Sequence, residues 1–319
     1  MTKSETRMAN QFVIRNSEFG IRRMWLAIVI VAHLLNAAVF LVDKAMLGRV
    51  VKNSTVYAFF IGVLSIVVVV LFPLQSTIPP PVRLLQDLVA GALLVLALVT
   101  FFAALKALEA SRVIPFIGGV VPVLTFFFSF QLLGERLASH EAVAFLLLVC
   151  GGVLITLDPS KPHTPSSLKG WAAALCAAAL FAVSFVLTKY LYGQQPFLEA
   201  FIWSKFGMLA ISLAMLISSR FRRTIHKTLS NLSLKDGACF IGNQCVGAAG
   251  FFLLNYAISM ASVTLVNALQ GVQYAFILVF VIIAAKWNPK LLKEKISPMI
   301  IVEKLFAIVL IGEGLVLLR

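Results

Sequence analysis

Histidine, amide and phenol side chains recur at helical spacing in two otherwise apolar stretches of the chain. His33, Asn36, Phe40 and Lys44 share an arc of roughly 80° on a helix. Asn267, Gln270 and Tyr274 share roughly 60° by the same arithmetic. Amide and phenol groups hydrogen-bond a polar solute without imposing a large fixed charge. Two such stripes facing a common interior would form the wall of a solute cavity. Interhelical hydrogen bonding is the competing use of buried Asn and Gln in apolar bundles. Asn243 is a further candidate for the wall; with Gln244 it precedes Gly247 and Gly250, glycines whose spacing suits close helix packing.

Lys205 lies near the middle of another apolar stretch, with Trp203 beside it. It either faces a substrate carboxylate or phosphate, or pairs with Glu199 about a turn and a half earlier. Glu313 sits between Gly312 and Gly314, where a protonatable carboxyl could couple proton movement to transport; helix pairing is the competing reading. His33 could also titrate near neutral pH and shares both readings, though a lone His is more often a hydrogen-bonded packing residue. Asp43 and Lys44, Lys106 and Glu109, and Glu135 and Arg136 lie near the ends of apolar stretches, where snorkelling and local pairing account for charge. Covalent chemistry has no signature. His140-Glu141 does not continue to a zinc-binding helix, and no phosphate-binding loop or nucleophile elbow is present. The aspartates are scattered, and Cys150, Cys176, Cys239 and Cys245 have neither CxxC nor Cys/His spacing. The reading is therefore no enzyme, no cofactor and no metal.

Positioning these residues requires long apolar elements, and the chain is rich in them. It has 319 residues, 61% apolar and 13% charged, with mean hydropathy +0.98, whereas soluble domains carry about a quarter charged residues. A span needs about 20 apolar residues. By that measure spans fall near Trp25–Leu47, Val56–Leu74, Leu85–Leu105, Val113–Leu133, Ala142–Leu157, Trp171–Tyr192, Phe197–Ile217, Gly237–Ile258, Val263–Ala285 and Ile301–Leu318. The net charge of +14 lies mainly between these runs, as membrane-flanking charge does. Anionic headgroups are its expected partner and nucleic acid is not. The first apolar run is too long for a signal-peptide core and is read as a retained span. Asn53-Ser54-Thr55 and Asn231-Leu232-Ser233 are formal glycosylation sequons of a length that arises by chance.

The chain also matches itself in order. Phe40-Leu41-Val42-Asp43-Lys44 aligns with Phe185-Val186-Leu187-Thr188-Lys189, and Phe101-Phe102-Ala103-Ala104 with Phe251-Phe252-Leu253-Leu254. Leu148-Val149-Cys150-Gly151 aligns with Val309-Leu310-Ile311-Gly312. Five spans is an odd number, so tandem halves would be inserted in opposite orientations, an arrangement common in secondary transporters. The expected fold is an all-α integral membrane protein with ten transmembrane helices as two inverted five-helix repeats. Its parts would be a polar basic segment 1–24, a first repeat 25–157, a linker 158–169 and a second repeat 170–319.

Val113-Ile114-Pro115 through Pro122-Val123-Leu124, ending in Leu133-Gly134-Glu135-Arg136-Leu137 and followed by Gly151-Gly152, resembles the drug/metabolite transporter superfamily in its EamA branch. The second half departs from that pattern, with Val272 near the position of Pro122 and Trp287-Asn288-Pro289 in place of the Glu-Arg end. The resemblance implies an EamA-type permease whose central cavity is lined by spans one, three, four, six, eight and nine. Similar proteins export amino acids, other metabolites or toxic compounds, and some carry nucleotide sugars or phosphorylated sugars.

The resulting expectation is a secondary transporter, an exporter or exchanger of a small polar metabolite such as an amino acid or of a small drug-like compound, working by alternating access. The rival readings are an integral membrane enzyme and a non-transporting receptor or assembly protein. The expected location is a bacterial inner membrane, and a homodimer stays open. The resemblance implies cytoplasmic termini, and Lys3, Arg7, Arg15, Arg22 and Arg23 agree with that. The clusters Arg220, Arg222, Arg223, Lys227, Lys235 and Lys286, Lys290, Lys293, Lys295 oppose it by the positive-inside rule.

Overall fold

Where water is absent, a backbone satisfies its own N–H and C=O groups only as a helix or a closed barrel. The computed structural model takes the first course. It describes residues 24–43, 46, 53–75, 77–108, 110–157, 167–230, 232–287 and 298–319. The basic segment 1–23, Lys44, Glu109, the linker 158–166, Asn231 and the run from Asn288 to Lys295 lie outside the described residues. Among the described residues there is no strand.

In chain order the helices are α1 (Met24–Asp43), α2 (Ser54–Leu64), α3 (Pro81–Ala107), α4 (Ala110–Leu133), α5 (Ser139–Thr156) and α6 (Leu168–Tyr192). They continue as α7 (Phe197–Ala214), α8 (Ser219–Ser230), α9 (Leu234–Met260), α10 (Val263–Ala268), α11 (Gln270–Trp287) and α12 (Pro298–Leu317). Among the described residues nine helices are long and apolar enough to cross a membrane, with α2 extended by a 3-10 stretch and α10–α11 counted as one. α12 occupies the expected tenth span and carries three charged residues, Glu303, Lys304 and Glu313.

Local chemistry explains the helix limits. Pro81 opens α3 at the position where a missing N–H costs nothing. Asn53 accepts from the N–H groups of Thr55 and Val56 at 3.0 and 3.3 Å, so the first sequon residue is the N-cap of α2. Gly134, at φ +65°, ends α4 in the left-handed conformation that glycine adopts without strain.

Two features depart from the sequence reading. The basic connection between spans seven and eight folds as α8, an amphipathic helix that buries Ile225 and packs Phe221 on Phe59 of α2. Span nine is broken at Leu269, between the six-residue α10 and α11.

Helices meet most closely where side chains are missing. A Cβ on Gly91 of α3 would strike the carbonyl of Ser204, and one on Gly207 of α7 would strike the carbonyl of Leu88. These two contacts lock α3 to α7 backbone against backbone. Gly152 of α5 faces Gly271 of α11, and Gly151 faces Ile311 of α12. Outward positions such as Val70, Leu85, Leu146, Leu168, Leu234 and Val316 are exposed and apolar, as a lipid-facing surface requires.

Cross-chain contacts define the two ends of the bundle. At one end the start of α6 meets the end of α3 through Gly170 and Leu108, α8 meets the start of α2, and the end of α1 meets the start of α9. At the other end Thr77, the starts of α3 and α7, the end of α6 and the end of α9 come together.

The glycine seam yields a test. Gly91→Leu is expected to lower folded stability by about 1–3 kcal/mol or more, because backbone stands where the side chain must go. Gly242→Ala, with nothing within 4 Å of its Cβ, is expected to raise it by about 0.5–1 kcal/mol through helix propensity. Unfolding of the two variants in detergent measures both.

Candidate functional site

The middle of α7 places Lys205 inside the bundle. Ser65 of the 3-10 stretch after α2 donates to its carbonyl at 2.9 Å, and the α3 contacts at Ser204 and Gly207 flank it. Its ammonium stands 3.6 Å from the Phe251 ring centre, 5.1 Å from that of Phe201 and 3.5 Å from the Met208 sulfur. Among the described residues no carboxylate pairs with it. Glu199, the alternative partner, instead accepts from the N–H and hydroxyl of Thr77 at 3.1 and 2.6 Å.

Around Lys205 lies a small pocket lined also by Ser184, Thr188, Ser204, Phe251 and Asn255. Ser184 donates to the Ala90 carbonyl at 2.9 Å and Ser204 to that of Phe201 at 2.8 Å. Tyr192 donates to Asn255 Oδ1 at 2.9 Å. The cavity volume of about 10 Å³ is space for roughly one water.

A polar network seals one end. Asp43 of α1 accepts from the Tyr57 hydroxyl of α2, from Asn243 of α9 at 2.6 Å and from Gln244 at 3.2 Å. At the other end Gln195 donates to both carboxylate oxygens of the fully buried Asp87, at 2.7 and 2.8 Å. On the same side Glu135 accepts from Ser129 and, at 3.1 Å, from Thr264 of α10. Each network ties the first half of the chain to the second.

The residues of the two polar stripes make different contacts. His33 faces Gln273, its Nδ1 3.3 Å from Oε1, while its buried Nε2 has no partner. Tyr274 directs its hydroxyl towards Gly118 of α4, and Asn36 abuts Gly250 of α9. Asn243 joins the Asp43 network rather than this middle layer. Asn267 is buried and donates to the Val263 carbonyl of its own helix at 2.9 Å. Gln270 is half-buried, at the break between α10 and α11, and Phe40 is half-buried on α1. Glu313 is exposed on α12, outside the region where the other candidates meet.

Sequence reasoning passed over Asp87, Gln195, Tyr57, Ser184, Thr188 and Asn255. Asp87 carried a usable signal, an acid inside the run that forms α3. The hydroxyls carried none, because Ser and Thr bond their own helix as readily as a neighbour. Asp43 read as a span-end charge, and its ring of donors comes from residues far away in sequence.

Residues 23–157, which span α1 to α5, match the family model of the EamA-like transporter family. No curated protein matches the chain. Among solved structures, one crystal structure matches with a TM-score of 0.68 at 17% identity, covering 92% of this chain and 96% of its own. That likeness shows a shared fold.

The Asp43 network predicts measurable coupling. A double-mutant cycle of Asp43→Ala and Asn243→Ala is expected to give about 0.5–2 kcal/mol in unfolding experiments. Strict additivity would show the contact to be energetically silent.

Proposed function

Since residues 23–157 match the model of the EamA-like transporter family, a family of membrane transporters, we propose that this integral membrane protein is a secondary carrier. Its solute is a small polar metabolite such as an amino acid, or a small drug-like compound, moved by export or exchange. The observation that carries the reading is a pair of polar networks, Asp43 with Asn243 and Asp87 with Gln195, at opposite ends of one bundle. Each joins the two halves, and the Lys205 pocket and the His33–Gln273 pair lie in the layer between. Opening one network while the other stays formed exposes the middle to one side at a time, which is alternating access.

An inverted repeat is supported by matched elements. α3 and α9 each have 27 residues. Each ends in an extended residue, Leu108 or Ala261, whose N–H bonds the carbonyl four residues earlier at 2.8 or 2.9 Å. The sequence carries no nucleotide-binding motif, so an ion or solute gradient supplies the work. For proton coupling, the position of His33 beside Gln273 favours it over the exposed Glu313.

Orientation in the membrane follows from charge. Among the described residues Lys106, Arg112, Lys169, Arg220, Arg222, Arg223, Lys227, Lys235 and Lys304 gather at the α8 end, against Arg83, Arg136, Lys189 and Arg319 at the other. The positive-inside rule places the α8 end in the cytoplasm, and α1 then starts outside, against the family expectation. A fluorescent protein fused after Arg319 reports this directly: it stays dark if exported through a bacterial inner membrane and bright if the charge argument fails.

Transport itself is tested in proteoliposomes. Counterflow of labelled amino acids is expected, with the solute recovered unaltered. Tyr274→Ala and Gln273→Ala are expected to cut the rate by roughly tenfold or more, as interior polar positions do, while Glu313→Gln leaves it unchanged. Chemical alteration of the solute would point to an enzyme, and binding without flux to a receptor.

A further inference from the structure

A lysine halfway along a membrane-spanning helix needs a counter-charge, a water-filled space or an aromatic face. Lys205 has the aromatic face, with Phe251 at 3.6 Å. Pocket oxygens of Ser184 and Ser204 already donate their protons to backbone carbonyls. The ammonium is the charged donor of the pocket, and the backbone of Lys205 that carries it is held firmly. Ser65 grips its carbonyl, and the α3 backbone presses on α7 on both sides of it. The opposite wall is α9, which contributes Phe251 and Asn255. Of the most apolar stretch of α9 only 11% is buried, against 33–44% in the other spans. α9 is the least buried wall of the pocket.

Building on the carrier reading above, we propose that the transported solute bears a carboxylate, which displaces the Phe251 ring and pairs with Lys205 between α3, α6, α7 and α9. The ring holds the ammonium until the solute enters. A carboxylate at the same place offers full charge complementarity and charge-assisted hydrogen bonds, so entry of the solute and outward movement of Phe251 are one exchange of partners. Among the described residues no second cation lines the pocket. A monoanion is thus balanced there, whereas a phosphate, carrying nearly two charges, would bring unpaired charge into apolar surroundings.

The test uses the full chain, purified in detergent, with acetate, butyrate, benzoate, N-acetyl-L-alanine and N-acetyl-L-leucine, each beside its neutral amide. At least one acid is expected to raise the unfolding temperature while its amide does not, since only a ligand of the folded state stabilises it. Lys205→Met should weaken that acid by about tenfold or more, and Lys205→Arg should retain much of the binding. Phe251→Leu removes the competing ring without touching the lysine and should tighten binding several-fold. The proposal is overturned if no acid of the panel binds, if acid and amide bind alike, or if Lys205→Met binds as the wild type does. Proteoliposomes separate this failure from that of the carrier reading. Flux of a neutral or cationic solute that survives Lys205→Met keeps the carrier and removes the carboxylate. A carboxylate that binds through Lys205 without any flux keeps the site and removes the carrier.

Discussion

A peptide carbonyl at the end of a helix inside a bilayer has no water to bond, and much of this structure follows from that one deficit. Where α9 stops, Lys189 of α6 reaches over and donates to the carbonyls of Ile258, Ser259 and Ala261 at 2.8, 3.3 and 2.8 Å. Where α5 stops, Lys304 of α12 does the same for Ile155 at 2.6 Å and for Leu157. Each lysine satisfies orphan acceptors and brings positive charge to the negative end of a helix dipole. Charges that read in isolation as membrane-edge ornaments are thus terminal caps supplied in trans, and they bind neighbouring helices together.

The same deficit governs the acids. Asp87 has both oxygens filled by Gln195, Glu199 is filled by Thr77, and Asp43 is ringed by Tyr57, Asn243 and Gln244. Against that background Lys205 stands out, as its partners are two rings and a sulfur. A bundle that finds conventional partners for the acids at its ends leaves the central lysine on a weaker, polarisable surface.

The helices were legible in sequence because the solvent they face is uniform. About 20 apolar residues are needed to cross it, and the run from Leu168 to Tyr192 could hardly be anything else. α8 was illegible by the same yardstick, being 12 residues long and basic; only the alternation of Phe221 and Ile225 with charge hinted at a helix lying along one end. The break at Leu269 has no proline to announce it, so Asn267 and Gln270 could not be assigned to separate helices. Pairings were least visible of all, since His33 and Gln273 are 240 residues apart and no local pattern reaches that far. Glu135 was noticed through its Gly-Glu-Arg context, but its bond to Thr264, the part that joins two halves, required three dimensions.

The glycine contacts between α3 and α7 bear on how this molecule is divided. α3 comes from the first half of the chain and α7 from the second, yet their backbones interlock at Gly91 and Gly207 with no side chain between them. Such a pair has no lubricating layer of rotamers and must travel as one rigid body. A motion that parted residues of the first half of the chain from those of the second would have to break this seam.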